Sequence, residues 1–181
     1  MLKETIFIGS FLLVFGRILS DLRRGSMHII LMRHGEAVPF APNDADRILT
    51  PTGKSQAMNT GSQLKRGGWS PEVVYCSTLI RAQQTAELVI DVMRLDVIAN
   101  TVEGMTPEDD WVDAMAMIEN RASNNSLFVF HQPILTQIVG HLTEGDPRYV
   151  GHPHAVPATA YILQLDAFLP GVATLMGSYQ P

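Results

Sequence analysis

From Met27 onward, short apolar runs alternate with amphipathic stretches. Met27–Met32 (MHIILM) stops at a charged turn, as a buried strand does. Pro51–Gly67 predicts a helix, with Thr50 as N-cap, Pro51 in the first turn and Gly67-Gly68 as the stop. Val73–Cys76 (VVYC) reads as a second strand. Ser77 is placed to cap a helix reaching Arg94, which sets Leu79, Ala82, Ala86, Val89, Ile90 and Met93 on one face. Asp96–Asn100 suits a third strand, and Pro107–Arg121 a helix opened by Pro107 and the acidic cluster Glu108-Asp109-Asp110. Ser126–Phe130 (SLFVF) is a fourth strand, Pro133–Leu142 a further helix, and Ala158–Leu165 and Val172–Tyr179 two last strands. This order predicts an α/β fold: a three-layer α/β/α sandwich with a mostly parallel central sheet and crossover helices on both faces.

The pattern fails over residues 1–26. Ile6–Phe15 (IFIGSFLLVF) is apolar but ends within about a dozen residues at Arg17, where a spanning helix needs roughly 20. Lys3 resembles a signal-peptide start, yet no small-residue cleavage pattern follows. An extension upstream of a true start at Met27, a surface or membrane anchor, and a cleaved signal all stay open. Residues 27–181 are expected to form the functional domain. Membrane contact is expected only if the first segment is retained, and Arg17, Arg23 and Arg24 would then hold the rest of the chain in the cytoplasm.

Composition narrows the chemistry. The 181 residues carry thirteen Lys+Arg against eighteen Asp+Glu, a net charge of −5. Without residues 1–26, which hold four basic and two acidic residues, nine Lys+Arg face sixteen Asp+Glu, a net of −7. With no basic run to offset this, nucleic acid is not expected as a partner. The single Cys excludes an internal disulfide and a Cys-based zinc site. Walker and dinucleotide fingerprints are absent, and Gly35 and Gly53 do not make a phosphate-cradling loop.

Chemistry-bearing residues gather at strand ends, where ligands bind in open α/β sheets. The first strand ends in Arg33-His34-Gly35-Glu36, the second at Cys76-Ser77 with Arg81 one turn on, and the fourth in His131-Gln132-Pro133. Two imidazoles and two guanidiniums at one edge of an acidic protein suggest an anion pocket, because Arg matches phosphate by paired hydrogen bonds. A neutral imidazole can also attack phosphorus and leave again.

These residues carry a resemblance. Arg33-His34-Gly35-Glu36-Ala37 resembles the RHG signature of the histidine phosphatase superfamily, also called phosphoglycerate mutase-like. Ser77–Ala86 (STLIRAQQTA) is similar to its S-x-x-x-RA-x-QT block, and Arg47-Ile48-Leu49-Thr50 with Gly53 and Gln56-Ala57 to its R-P-L-T-x-x-G-x-x-QA stretch. Phe130-His131-Gln132-Pro133 resembles the late-His motif. The short chain has no room for a helical lid, which points to the compact SixA-type phosphohistidine phosphatases. The resemblance implies His34 as nucleophile and phosphohistidine intermediate. It implies Arg33, Arg81 and His131 as phosphoryl ligands, with Arg47 and Ser77 at the substrate rim. His34 would attack only when unprotonated, and His131 would help most when protonated. Neither a cofactor nor a metal is implied. The expected substrate is a phosphohistidine-bearing protein, such as a phosphotransfer domain of a bacterial signalling relay, and the expected location is the cytoplasm.

Two departures matter. Ile48 stands where the family has Pro. The family's general acid lies after the third strand, where Glu103 is the candidate, one residue out of register, with Glu36 and Asp109 behind it. A phosphohistidine substrate would need less help, since its leaving imidazole takes a proton readily. A thiol phosphatase would need C-x5-R, and Cys76 to Arg81 is one residue short. His141, His152 and His154 raise a metal site without obvious acidic partners. A small-molecule phosphomonoesterase and a non-catalytic phosphoprotein-binding adaptor remain alternatives.

Overall fold

Side chains along a strand point alternately to its two faces. In strand β1 (Met27–Arg33), this sends Ile29 and Leu31 into one apolar cluster and Ile30 and Met32 into another. Both layers must therefore be covered by helices. The computed structural model describes residues 26–148 and 155–181, so the apolar segment before Ser26 and residues His152 and His154 lie outside the described residues. Among the described residues, no helix is long and apolar enough to cross a membrane.

The remaining elements follow in chain order. A short 3-10 turn (Asp44–Asp46) precedes α1 (Pro51–Arg66), then come β2 (Val73–Ser77), α2 (Ile80–Met93), β3 (Ala99–Val102), α3 (Trp111–Arg121), β4 (Ser126–Phe130), α4 (Ile134–Glu144), β5 (Ala160–Leu165) and β6 (Thr174–Tyr179). The described strands form one sheet in the order β3-β2-β4-β1-β5-β6. The first four run parallel, whereas β5 pairs antiparallel with β1 and β6 antiparallel with β5. Leu64 of α1 and Ala82, Ala86, Val89 and Met93 of α2 bury against Ile30 and Met32. Ala114 and Ile118 of α3 and Ile134, Leu135, Ile138 and Val139 of α4 bury against Ile29 and Leu31. The three-layer, mostly parallel sandwich is the one the pattern implied.

Several boundaries move for local reasons. Thr50 caps α1 as expected, its hydroxyl accepting from the Gly53 N–H at 2.9 Å. Ser77 does not cap α2: it is the last residue of β2, and the N-cap position is Leu79. The acidic cluster is spent before α3 starts. Asp109 accepts from the Thr106 N–H at 2.6 Å and the Thr106 hydroxyl at 2.8 Å, and Asp110 is the true N-cap, accepting from the Val112 N–H. Strand β3 begins three residues later than its apolar content suggested, because it is an edge strand with exposed Asn100 and Thr101.

Candidate active site

Parallel strands bring their C-terminal ends to one edge of the sheet. That edge carries Arg33 at the end of β1, with His34 next, and His131 directly after the neighbouring strand β4. Because β5 is antiparallel, its approach segment reaches the same edge. The Arg33 N–H donates to Thr159 O at 2.9 Å, and the Ala158 N–H to His34 O at 3.0 Å. The His34 N–H in turn donates to Phe130 O at 3.0 Å, so its backbone is held from both sides.

The loop after His34 is fastened by side chains from both helices of one layer. The Gly35 N–H donates to Thr85 Oγ1 at 3.0 Å, and that hydroxyl donates to Arg81 O at 2.7 Å. The Glu36 N–H donates to Gln56 Oε1, and the Leu49 N–H to Gln84 Oε1. A Cβ on Gly35 would collide with the main chain of Gly53, and a Cβ on Gly53 with that of Glu36. Both glycines are therefore required by close approach of the loop to the start of α1.

The imidazoles of His34 and His131 lie 4.8 Å apart, centroid to centroid. His34 Nδ1 is 2.6 Å from Gly35 O. A carbonyl oxygen only accepts, so Nδ1 carries the proton and Nε2 presents its lone pair. Burial, together with Arg81, Arg33 and Arg47, lowers the His34 pKa to about 4, against the bond to Gly35 O that favours the charged form. Burial foremost, then His34 and the same guanidiniums, lowers that of His131 to about 2. Both rings are thus neutral at pH 7. This satisfies the requirement on His34. It differs from the expectation of a protonated His131, because burial and the neighbouring His34 and guanidiniums disfavour the charged ring.

The donors around them are unspent. Arg33 places Nη1 on Ala155 O at 2.7 Å, while its Nε, the Arg81 Nε and both His131 ring nitrogens are buried with no hydrogen-bond partner among the described residues. Each such orphan costs roughly 1–3 kcal/mol. Full burial of an aliphatic core side chain such as Ile29 or Leu31 contributes roughly 1.5–3 kcal/mol, enough for the core to hold such a cluster in place. An oxyanion would satisfy the two guanidinium Nε–H groups and the single N–H of a neutral His131 at once.

The family model of the histidine phosphatase superfamily (branch 1) matches residues 29–102, the span from β1 to β3 that holds Arg33, His34 and Arg81. Over residues 29–102 the chain matches the histidine phosphatase superfamily. Over 69 residues it is 41% identical to the serine/threonine-protein phosphatase Pgam5, mitochondrial, of Drosophila ananassae. That match covers 38% of this chain and spans about a quarter (24%) of the relative's length. The solved structure of the protein histidine phosphatase SixA complexed with tungstate superposes with a TM-score of 0.73 at 27% identity, covering 86% of this chain and 97% of SixA. Phosphoglycerate mutase from Bacillus anthracis str. Sterne shares the fold, with a TM-score of 0.66 at 14% identity over 87% of this chain and 94% of the mutase.

Within this superfamily fold the other candidates divide. Arg47 joins the cluster from the loop before α1: its Nε donates to Val38 O at 2.6 Å and its Nη1 to Asp44 Oδ1 at 2.9 Å. Ser77 is buried, with its hydroxyl accepting from the Leu79 N–H at 3.4 Å, so it shapes the turn into α2. Glu103 is exposed just past β3, three strands from β1, a lateral distance of roughly 14 Å. Glu36 accepts from the Thr50 hydroxyl at 2.6 Å. Cys76 is fully buried, and burial pushes its thiol up to about 11, as suits an inert core residue. His141 packs its ring against Trp111 at 4.9 Å, on the α3–α4 layer. The motif reading passed over two residues: Thr85, quoted only as a motif letter, and Asp44, which reaches Arg81 from 37 positions away. The Asp44/Arg47 pair at i,i+3 was the available signal for the second.

A titration follows from this geometry. The His34 imidazole resonance, followed by NMR in the free protein, is expected to shift with a midpoint near pH 4. Since a lowered His pKa favours the neutral form, the lone pair stays available from pH 8 down to about 5. A midpoint near the ordinary 6.5 would contradict the buried, neutral nucleophile.

Proposed function

We propose that the chain is a phosphatase that removes the phosphoryl group from a phosphorylated His of a signalling or phosphotransfer protein. The observation that carries this reading is the neutral Nε2 of His34, fixed by the Nδ1–Gly35 O bond beside the unspent donors of Arg33, Arg81 and His131. His34 Nε2 attacks phosphorus in line; the substrate's P–N bond breaks as the new one forms, and the leaving imidazole takes up a proton from solvent. Water then attacks the phosphohistidine, its proton is lost to solvent, and inorganic phosphate and free His34 result. Arg33, Arg81 and His131 hold the equatorial oxygens as charge builds.

The substrate class is favoured by where the carboxylates go. Glu36 is held by Thr50, Asp109 by Thr106, and Asp44 by Arg47 and Arg81, while Glu103 is exposed at the sheet edge. An alkoxide leaving group needs a positioned acid, whereas an imidazole does not. The extent of the likeness to SixA, a protein histidine phosphatase, supports the same choice. Such a substrate belongs with cytoplasmic phosphorelays. A second reading, hydrolysis of a phosphoester on protein or small molecule, draws on the local identity to a serine/threonine-protein phosphatase.

Turnover should be compared on a phosphohistidine protein, a phosphoserine protein and 3-phosphoglycerate. The expected result is at least about 100-fold preference for phosphohistidine, a difference near 3 kcal/mol in transition-state stabilisation. Faster release from either ester would overturn the substrate assignment, and binding without release would make the chain an adaptor. The mechanism routes no step through a metal, so EDTA is expected to leave turnover unchanged. Strong inhibition restored by added metal would contradict it.

A further inference from the structure

Arg81 is 2% exposed, and one residue grips the end of its guanidinium. Its Nη1 donates to the main-chain oxygen of Asp44 at 2.9 Å, and its Nη2 to Asp44 Oδ2 at 2.9 Å. The other carboxylate oxygen accepts from Arg47 Nη1. A guanidinium offers five N–H groups in a rigid planar fork. Asp44 takes one from each terminal nitrogen, and Nε stays buried without a partner among the described residues.

We propose that Asp44 is a positioning residue that fixes the rotation of the Arg81 guanidinium, so that the edge carrying Nε stays available to the phosphoryl oxygens at His34. The role rests on the proposed phosphoryl site, and binding of an oxyanion reads it without requiring turnover.

A displaceable latch, in which the carboxylate competes with the incoming anion, is the obvious rival. The main-chain bond argues against it. Asp44 O also accepts from the Arg47 N–H at 3.3 Å, and Asn43 Oδ1 accepts from the Ala45 N–H at 3.4 Å, so that oxygen belongs to the fold of the 3-10 turn. It cannot leave Arg81 without undoing the turn. Half of the Asp44 side chain is solvent-exposed, so substitutions there leave the core alone.

The two ideas predict opposite signs. Removing a carboxylate beside an anion pocket should, by Coulomb's law alone, tighten anion binding. Removing a positioning group should weaken it. Tungstate binding to the full chain should be measured by calorimetry for the unaltered protein and for Asp44→Ala, Asp44→Asn and Asp46→Ala. Asp44→Ala is expected to weaken binding about tenfold, because Nη2 loses its anchor. Asp44→Asn keeps an acceptor oxygen and sheds the charge, so it should stay within about threefold of the unaltered chain or bind more tightly. The exposed Asp46 on the same turn should be without effect. Should the Ala variant fail to fold, Asp44→Ser replaces it, its hydroxyl being too short to bridge the two guanidiniums. Tungstate binding equal to or tighter than that of the unaltered chain in Asp44→Ala, or in the Ser variant that replaces it, overturns the positioning role. Failure of the unaltered chain to bind tungstate overturns the phosphoryl site and the role together.

Discussion

Replacing His34 with Ala is expected to lower phosphate release from a phosphohistidine protein by roughly 10⁴-fold or more, the scale seen when a covalent nucleophile is removed. The neighbouring ring cannot take over. His131 is buried after β4, with its ring 4.8 Å from that of His34, and in the proposed mechanism it holds the phosphoryl oxygens and makes no attack. His34→Asn should behave the same way, since an amide keeps polarity but has no lone pair basic enough to attack. Both variants should keep the fold, because the His34 backbone is anchored to Phe130 and Ala158, while its ring's hydrogen bond goes to the adjacent Gly35 O. Steady-state release, with thermal midpoints as the folding check, reads the effect. Turnover within tenfold of the unaltered chain would remove His34 from the mechanism.

Arg81→Ala is expected to cost roughly 10²–10³-fold in kcat/KM, the range for losing a preorganised donor to a developing oxyanion. Arg81→Lys should recover little. An ammonium supplies charge but not the planar fork that grips Asp44 through one edge and offers Nε along another. Full recovery in the Lys variant would show that charge alone suffices and would contradict the geometric account. A further consequence is local: without Arg81 the carboxylate of Asp44 keeps only Arg47, and the loop before α1 loses one of its ties to α2 while the Leu49–Gln84 bond stays.

The parts of this arrangement that could be read from the chain are those set by short-range pattern. Ser126–Phe130 is apolar after Ser126 and buried throughout, and its boundaries match to the residue. The strand-end positions of His34 and His131 follow from where apolar runs stop. Thr50 and Pro51 opened a helix because capping chemistry is local. Where side chains served a turn instead of a helix, the reading slipped: Asp109 closes onto Thr106, so α3 starts at Trp111 rather than Pro107. The edge strand β3 was expected at Asp96–Asn100 and lies at Ala99–Val102, since its exposed edge positions give no apolar run to bound it. Asp44 was invisible for a different reason. Its significance lies in a contact across 37 residues, from an aperiodic loop to a helix, which neither hydrophobic period nor capping rule reports. The neutral state of His131 likewise depends on burial that a sequence does not display.

The central claim is that phosphate passes through Nε2 of His34. Mixing the unaltered chain with a phosphohistidine protein carrying labelled phosphate, and quenching rapidly in alkali, tests it directly. The account predicts a transient phosphoenzyme that is stable to alkali, labile to acid and mapped by peptide mass to His34. Full turnover with no phosphoenzyme, or label on any other residue, would contradict it.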